Sequence, residues 1–262
     1  MIDIGVNLTN TRFELDRDDV IERAVSHGIK GFLVTATNIE VSQQASQLCQ
    51  AFPGYLYCTA GIHPHDADGV SDGYLKQLKA LVANKWVKAI GECGLDFNRN
   101  YSSKQQQLGV FSEQVQLAAE VNSPLFLHQR DAFTPWFDTL SPFIGRIPAM
   151  VTHCFTGDLY QLRRCLDAGM YIGITGWLCD ERRGQTLRDI VQYIPLDRLM
   201  IETDAPYLLP RTIRPKPKGS RNEPSYLPYI VQCLAEFTQH SVKEIIEQTE
   251  KNSRMVFNWG LN

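Results

Sequence analysis

In VKAIGECGLD, residues 87–96, a short apolar run leads into a carboxylate, Glu92, which lies between Gly91 and Gly94. The same pattern recurs along the chain, where apolar runs lead into residues suited to bind a metal ion or to transfer protons. Six such runs lead into segments that begin at Gly61, Gly91, His128, His153, Thr175 and Glu202. A parallel barrel gathers the C-terminal ends of its strands at one mouth, where its active site lies. We therefore expect side chains that are far apart in sequence to converge.

The apolar runs predict strands, and the segments between them predict helices. Strands are predicted over 2–7, 31–36, 55–60, 87–90, 124–127, 149–152, 170–174 and 198–201. Apolar residues at helical spacing predict helices over 18–27, 105–121, 159–168 and 186–193, and two closing helices over 226–237 and 242–257. This alternation favours an α/β fold, a single (β/α)₈ TIM-barrel domain over residues 1–262, with a doubly wound open sheet as the alternative. The proline-rich segment 210–224 is predicted to be exposed and extended.

The composition limits the class of protein. With 262 residues, 44% of them hydrophobic, the chain can bury a large core, and its net charge of −3 argues against a protein that coats nucleic acid. Seven cysteines without a Cys-x-x-Cys pair predict reduced thiols in a cytoplasmic protein. We expect Cys93 and Cys154 to point away from the site, because side chains alternate along a strand. No signal-peptide pattern or apolar run of membrane-spanning length is present, so we predict a soluble protein.

Glu92, His128, His153 and Asp204 are the candidate metal ligands. Two imidazoles with two carboxylates suit Zn²⁺, Mn²⁺ or Mg²⁺ and leave coordination positions for water. A single histidine at a strand end is commonly a structural polar residue, so the prediction depends on all four meeting in a barrel. Motifs of nucleotide kinases, dehydrogenases, serine hydrolases and zincins are absent from the sequence.

Further polar and aromatic side chains lie on the inferred mouth loops. His63 and His65 flank a proline, where they are suited to bind substrate, to support a ligand or to transfer a proton. The basic residues are Arg130, Arg182, Arg183, Arg211, Arg214, Lys216, Lys218 and Arg221, and the aromatic ones are Phe97, Tyr101, Trp177 and Tyr207. Cations that bind phosphate beside rings that stack on bases are what a single-stranded nucleic acid site requires. We predict substrate contacts from His65, Arg130, Trp177 and Tyr207.

Five segments, in this order and spacing, resemble the TatD-type metal-dependent hydrolase family. They are GIHPH at 61–65, GECGLD at 91–96, HQRD at 128–131, HCFTG at 153–157 and ETDAPY at 202–207. The resemblance extends from Asp3 to the closing helices. It implies a TIM barrel of the metallo-dependent hydrolase type that acts as a 3′–5′ exonuclease on single-stranded DNA or RNA, with DNA repair as its process. It also implies a cytoplasmic monomer that uses Mg²⁺ or a similar ion, with no membrane or stable protein partner.

The resemblance also implies roles for individual residues. Glu92, His128 and His153 match metal-ligand positions, and Asp204 matches an acid that binds metal and accepts a proton from water. We predict that His63 acts with Asp204 in catalysis by stabilising charge on the phosphate.

One departure from the family pattern concerns the first strand. Many members have a His-x-His pair there, whereas this chain has Gly5 and Asn7, which leaves open whether one or two ions are bound. Two other functions stay open at this point. One is a barrel amidohydrolase or esterase acting on a small molecule, and the other is a non-catalytic accessory protein for protein export or assembly.

Overall fold

Eight parallel strands form one sheet whose order follows the chain. The computed structural model describes residues 1–260, so the last two residues of the predicted domain 1–262 lie outside the described part. The strands are β1 (Ile2–Val6), β2 (Gly31–Val34), β3 (Leu56–Ala60), β4 (Val87–Asp96), β5 (Leu125–Arg130), β6 (Met150–Thr152), β7 (Tyr171–Ile174) and β8 (Leu199–Ile201). A parallel bridge between Val6 in β1 and Ala205, four residues after the end of β8, brings the two ends of the sheet together. The predicted TIM barrel is confirmed, and the open-sheet alternative is wrong.

Helices surround this barrel. Within residues 1–260 they are α1 (Arg17–Ser26), α2 (Ile39–Ala51), α3 (Tyr74–Val82), α4 (Lys104–Glu120), α5 (Phe133–Leu140), α6 (Leu159–Asp167), α7 (Gln185–Ile190), α8 (Leu227–Phe237) and α9 (Val242–Val256). The sequence prediction named no helix at α2, α3 or α5. The buried face of α2 consists of Ser42, Ala45, Ser46 and Cys49, so its apolar periodicity is weak. A search for large apolar residues at helical spacing therefore does not detect α2.

Two strands are longer than predicted. β4 continues past residue 90 to Asp96, and β5 continues past residue 127 to Arg130. The pairing between them shifts register between Ile90 and Cys93, as at a β-bulge. Glu92 and His128 are consequently strand residues, held by the sheet rather than by flexible loops.

The core has two layers. Inside the barrel, every strand contributes a buried side chain, and the aromatic residues Phe257 and Trp259 join this inner cluster from the end of the chain's last helix. The inner strand residues are Ile2, Ile4, Leu33, Tyr57, Ala89, Phe126, Val151, Tyr171 and Met200. A larger cluster fills the space between the strands and the helices. The packed interior leaves the C-terminal ends of the strands as the open end of the barrel.

The segment 210–223 contains no helix or strand and is mostly exposed, as predicted. Across residues 1–260, none of the helices has the length and apolar character required to cross a membrane.

Candidate active site

The nine side chains predicted for the site all line one cleft at the C-terminal ends of the strands. This cleft, the mouth cleft, has a volume of about 730 Å³. The nine residues are His63, His65, Glu92, His128, Arg130, His153, Trp177, Asp204 and Tyr207. They come from β4, from β5 and from the loops after β3, β6, β7 and β8, so the barrel brings them together from most of the chain.

Glu92 lies at the centre of the candidate ligands. Its Oε1 atom is 2.8 Å from His128 Nδ1, 3.2 Å from His153 Nε2 and 3.4 Å from His63 Nε2. Burial alone would raise the pKa of Glu92, but the neighbouring imidazoles hold it well below its ordinary value. Glu92 is thus an ionised carboxylate surrounded by imidazole nitrogens.

His153 is oriented by a second buried carboxylate. Its Nδ1 lies 2.8 Å from Oε2 of Glu202, whose side chain is fully buried. An ionised carboxylate only accepts hydrogen bonds, so in the neutral ring Nδ1 carries the proton and the lone pair of Nε2 faces Glu92. Burial alone would lower the pKa of His153, but Glu202 and Glu92 raise it well above its ordinary value. The Nε2 lone pair that faces Glu92 and the raised pKa of His153 both indicate that positive charge is favoured between His153 and Glu92.

His128 lies between two carboxylates. Its Nδ1 faces Glu92 at 2.8 Å. Its buried Nε2 has no hydrogen-bond partner among residues 1–260 and lies 3.6 Å from Asp96 Oδ2. Burial alone would lower the pKa of His128, but Asp96 and Glu92 raise it. A neutral imidazole has one proton and cannot donate to both acids, so one face again requires a further positive charge.

His63 differs from the other two histidines. Its Nδ1 accepts a hydrogen bond from the backbone N–H of His65 at 3.1 Å. Because Nδ1 must therefore be unprotonated, the proton of the neutral ring is on Nε2, which points at Glu92. Burial lowers the pKa of His63 and favours this neutral form. His63 lies within 4.8 Å of the donor atoms of Glu92 and His128, but this tautomer offers the centre a donor rather than a lone pair.

Asp204 and the first strand meet at the other side of the mouth cleft. The Oδ1 atom of Asp204 accepts a hydrogen bond from Asn7 Nδ2 at 3.1 Å. The backbone N–H of Asp204 donates to Gly5 O at 2.8 Å. Burial and the negative charges of Glu92 and Glu202 raise the pKa of Asp204 to about 7, against the opposing effect of His153. Asn7 thus occupies one oxygen of Asp204 and leaves Oδ2 available.

Cys154 was predicted to point away from the site, and this prediction was wrong. Cys154 lines the mouth cleft, and its Sγ lies within 4.8 Å of donor atoms of His153 and Asp204. The alternation rule fails because Cys154 follows the end of β6 and has a left-handed backbone with φ of +46°. Cys93 lies within β4, where alternation holds, and its buried thiol packs in the core against Phe126 O.

His65 is paired with an acid at the rim. Its Nε2 lies 2.7 Å from Asp96 Oδ2, and its ring contacts Tyr101 edge-on. Burial alone would raise the pKa of Asp96, but the nearby His128 imidazole and hydrogen bonds from His65 and the Arg99 N–H hold it below its ordinary value. Asp131 accepts a hydrogen bond from Asn98 Nδ2 at 2.8 Å.

Two of the eight predicted basic side chains line the mouth cleft, namely Arg130 and Arg183. Three others bind acids elsewhere: Arg182 pairs with Asp180, Arg211 with Glu181, and Arg221 with Asp16. The guanidinium groups of Arg130 and Arg183 both lie over the ring of Trp177. Tyr207 is half-exposed, and its hydroxyl accepts a hydrogen bond from Asn10.

Comparison with known proteins decides the family. The model of the TatD related DNase family matches residues 2–258. The chain belongs to the TatD related DNase family. A relative from Pectobacterium carotovorum subsp. carotovorum (strain PC1), named 3′-5′ ssDNA/RNA exonuclease TatD, is 51% identical over 98% of this chain and 99% of its own length. A protein of the same name from Salmonella typhimurium (strain LT2) is 49% identical over 98% of both chains.

Solved structures agree with this assignment. The TatD homologue YJJV from Escherichia coli K12 superposes with a TM-score of 0.89 at 28% identity, covering 98% of each chain. The TatD family is metal-dependent, and the donor set here fits a divalent ion. Donor atoms that share one ion at about 2.1 Å lie about 3–3.5 Å apart, close to the spacing of Glu92 Oε1 from the two facing nitrogens.

Sequence reasoning about this TatD-family chain assigned no role to Glu202. Its carboxylate binds His153, and its Oε1 also accepts the backbone N–H of Cys154 at 2.6 Å. Two glycines, one in β1 and one in β7, leave space for the Glu202 side chain. An added Cβ would lie 2.3 Å from Oε2 at Gly5 and 2.5 Å from Oε1 at Gly173. Glycine at matching positions of the first and seventh strands is the signal that could have identified a buried group between them.

Proposed function

We propose that this protein is a metal-dependent 3′–5′ exonuclease that hydrolyses phosphodiester bonds of single-stranded DNA or RNA. Relatives that carry this name are about half identical to it and match nearly its whole length. The observation that carries the proposal is the close approach of Glu92 Oε1 to His128 Nδ1 and His153 Nε2. The negative charge of this buried carboxylate is balanced only by an added proton or a bound cation.

Glu92, His128, His153 and Asp204 are the residues proposed to hold the ion. When bound there, a divalent ion would supply positive charge that polarises a phosphate oxygen and acidifies water. His63 is proposed as a donor instead of a ligand, because its Nδ1 is occupied by a backbone N–H.

The hydrolysis divides among the chain's own groups. Asn7 donates a hydrogen bond to Oδ1 of Asp204, and Oδ2 is the proposed acceptor of a proton from the attacking water. His63 Nε2–H donates to a phosphate oxygen and stabilises its developing charge. Arg130 and Trp177 bind the strand at the rim. The water oxygen bonds to phosphorus, and the bond to the 3′-oxygen of the preceding nucleotide breaks. That oxygen takes up a proton from solvent water to become a 3′-hydroxyl, and a 5′-mononucleotide leaves.

An oligonucleotide assay tests this function. Protein stripped of metal by a chelator receives Mg²⁺, Mn²⁺ or Zn²⁺ separately, with single strands labelled at one end or the other. We expect stepwise shortening of the 5′-labelled strand and immediate release of a 3′ label as mononucleotide. A metal-loaded preparation that cleaves no DNA or RNA strand, yet hydrolyses small amides or esters, would replace this proposal with the amidohydrolase alternative.

Finer features belong to the same proposal. We infer Mg²⁺ as the cellular ion, and a monomer that acts in the cytoplasm on DNA awaiting repair. All seven cysteines are free thiols, which supports a reducing compartment. Light scattering on the purified protein checks the monomer, and metal analysis of protein isolated without chelators checks the ion.

A further inference from the structure

A second cleft opens beside the mouth cleft. This side cleft has a volume of about 620 Å³, within the range of sites that hold a drug-sized molecule. The two clefts share five residues: Gln129, Arg130, Thr156, Trp177 and Arg183. Because one wall belongs to both, a chain bound at the candidate metal ligands can continue into the side cleft without leaving the protein surface.

The shared wall carries two cations over one aromatic ring. The guanidinium carbons of Arg183 and Arg130 lie 4.2 Å and 5.1 Å from the centre of the Trp177 ring. Arg130 donates to Thr156 Oγ1 at 3.3 Å and has no carboxylate partner among residues 1–260. Arg183 binds Asp180 through Nε and keeps half of its side chain exposed. Both cations can therefore meet an incoming phosphate.

The far side of the side cleft has aromatic rings and two acidic side chains that accept hydrogen bonds from neighbouring residues. Phe133 lines it, supported by Phe137 and by the exposed Tyr160. The two acids on its wall are occupied, since Asp131 accepts from Asn98 Nδ2 and Asp158 accepts from the N–H of Gln161. Positive charge beside aromatic rings is the chemistry that binds single-stranded nucleic acid without reading its sequence.

We propose that the side cleft binds the nucleotides on the 5′ side of the scissile phosphate, with Arg183 as the phosphate contact between the two clefts. This inference rests on the proposed exonuclease function. An enzyme that removes the 3′-terminal nucleotide holds one nucleotide on the 3′ side and the whole remaining strand on the 5′ side. The mouth cleft has room for the terminal nucleotide, so the additional volume serves the longer part of the strand.

Two neighbouring arginines provide a matched pair of variants. Arg182 and Arg183 both bind Asp180 and are similarly exposed, but only Arg183 lines the clefts and lies over Trp177. We would compare Arg183→Gln with Arg182→Gln in two measurements. The first is kcat/KM on a hexanucleotide, and the second is the inhibition constant of the 5′-mononucleotide product, which contains only the 3′-side nucleotide.

We expect Arg183→Gln to lower kcat/KM on the hexanucleotide about tenfold and to reduce the slope of log kcat/KM against log salt by about 0.7. The mononucleotide inhibition constant should stay within about twofold of wild type, and Arg182→Gln should change neither quantity. Phe133→Leu, which removes a ring face but keeps an apolar side chain, should repeat the length-dependent loss without the change in salt slope.

Equal weakening of hexanucleotide and mononucleotide would overturn the proposal, because the side cleft would then hold the leaving nucleotide. Unchanged hexanucleotide kinetics in both Arg183→Gln and Phe133→Leu would also overturn it. Failure of the exonuclease function has a separate signature, in which the wild-type protein cleaves no oligonucleotide with any of the three metals.

Discussion

The substitution Glu202→Gln should weaken metal binding by reversing the tautomer of His153. Glutamine has one acceptor where glutamate has two. The backbone N–H of Cys154, 2.6 Å from Oε1, can only donate, so the amide oxygen must remain there. The amide NH₂ then faces His153 Nδ1, which becomes the acceptor, and the proton moves to Nε2. A protonated Nε2 has no lone pair for an ion beside Glu92.

The expected magnitude follows from the position of Glu202 behind a ligand. Loss of a group that orients a metal-binding histidine typically costs 10–100-fold in affinity, or about 1.4–2.7 kcal/mol. The assay is a titration of metal-stripped protein with Mn²⁺, read both by calorimetry and by exonuclease rate. We expect the midpoint to move to 10–100-fold higher metal, with much of the rate recovered at saturation.

Glu181→Gln is the control for this change. Glu181 lies on the loop after β7 and pairs with the exposed Arg211, so the same substitution there should leave the metal midpoint unchanged. The reasoning about the His153 tautomer would be refuted if Glu202→Gln bound Mn²⁺ with wild-type affinity. Thermal unfolding of both variants verifies that the barrel is intact.

Three further predictions concern the same centre. Asp204→Asn keeps the acceptor for Asn7 but cannot take a proton, so the exonuclease rate should fall by about 10²–10⁴-fold with unchanged circular dichroism; a near-normal rate would exclude Asp204 as the base. Gly5→Ala places a Cβ 2.3 Å from Glu202 and should lower the free energy of unfolding by about 1–3 kcal/mol, measured by urea denaturation. Gly109→Ala is its control, because an added Cβ there would meet no atom within 4 Å beyond its own stretch of α4, and it should stabilise the protein by up to about 1 kcal/mol. Chelation should abolish nuclease activity and leave secondary structure intact, and metal addition should restore the rate; persistence of cleavage in excess chelator would contradict a metal-dependent reaction.

The barrel could be predicted from sequence because each strand is a buried apolar run. Central parallel strands are covered on both faces, so they read as continuous stretches of Val, Ile and Leu. The C-terminal ends of β4 and β5 are harder to predict from sequence. Glycines and polar residues replace the apolar residues after positions 90 and 127, although the strand pairing continues. Helix α2 was missed for a related reason, namely a buried face of small and polar side chains.

The candidate site was predictable in its members but not in their roles. Strand ends converge in a barrel, which was sufficient to place Glu92, His128 and His153 in one cleft. The separation of His63 from the ligands depends on one backbone N–H at its Nδ1, a contact that no sequence pattern encodes. The position of Cys154 depends on a single left-handed residue, which reverses the face expected from alternation.

The first strand shows what Gly5 and Asn7 do at the two positions where the family resemblance suggests a His-x-His pair. Gly5 is where the carboxylate of Glu202 lies, so a side chain at that position and a buried Glu202 exclude each other. Asn7 presents an amide NH₂ to Asp204, and an amide donor cannot serve as a metal ligand through that nitrogen. Gly5 and Asn7 therefore support candidate ligands from other strands, His153 and Asp204, and do not act as metal ligands themselves. The first strand supports His153 through Glu202 and fixes Asp204 through Asn7. The candidate site for a firmly held cation is therefore the one formed by Glu92, His128 and His153. A second ion near β1 would have His153, Cys154 and Asp204 as its candidate ligands, and further oxygens would have to arrive with the substrate.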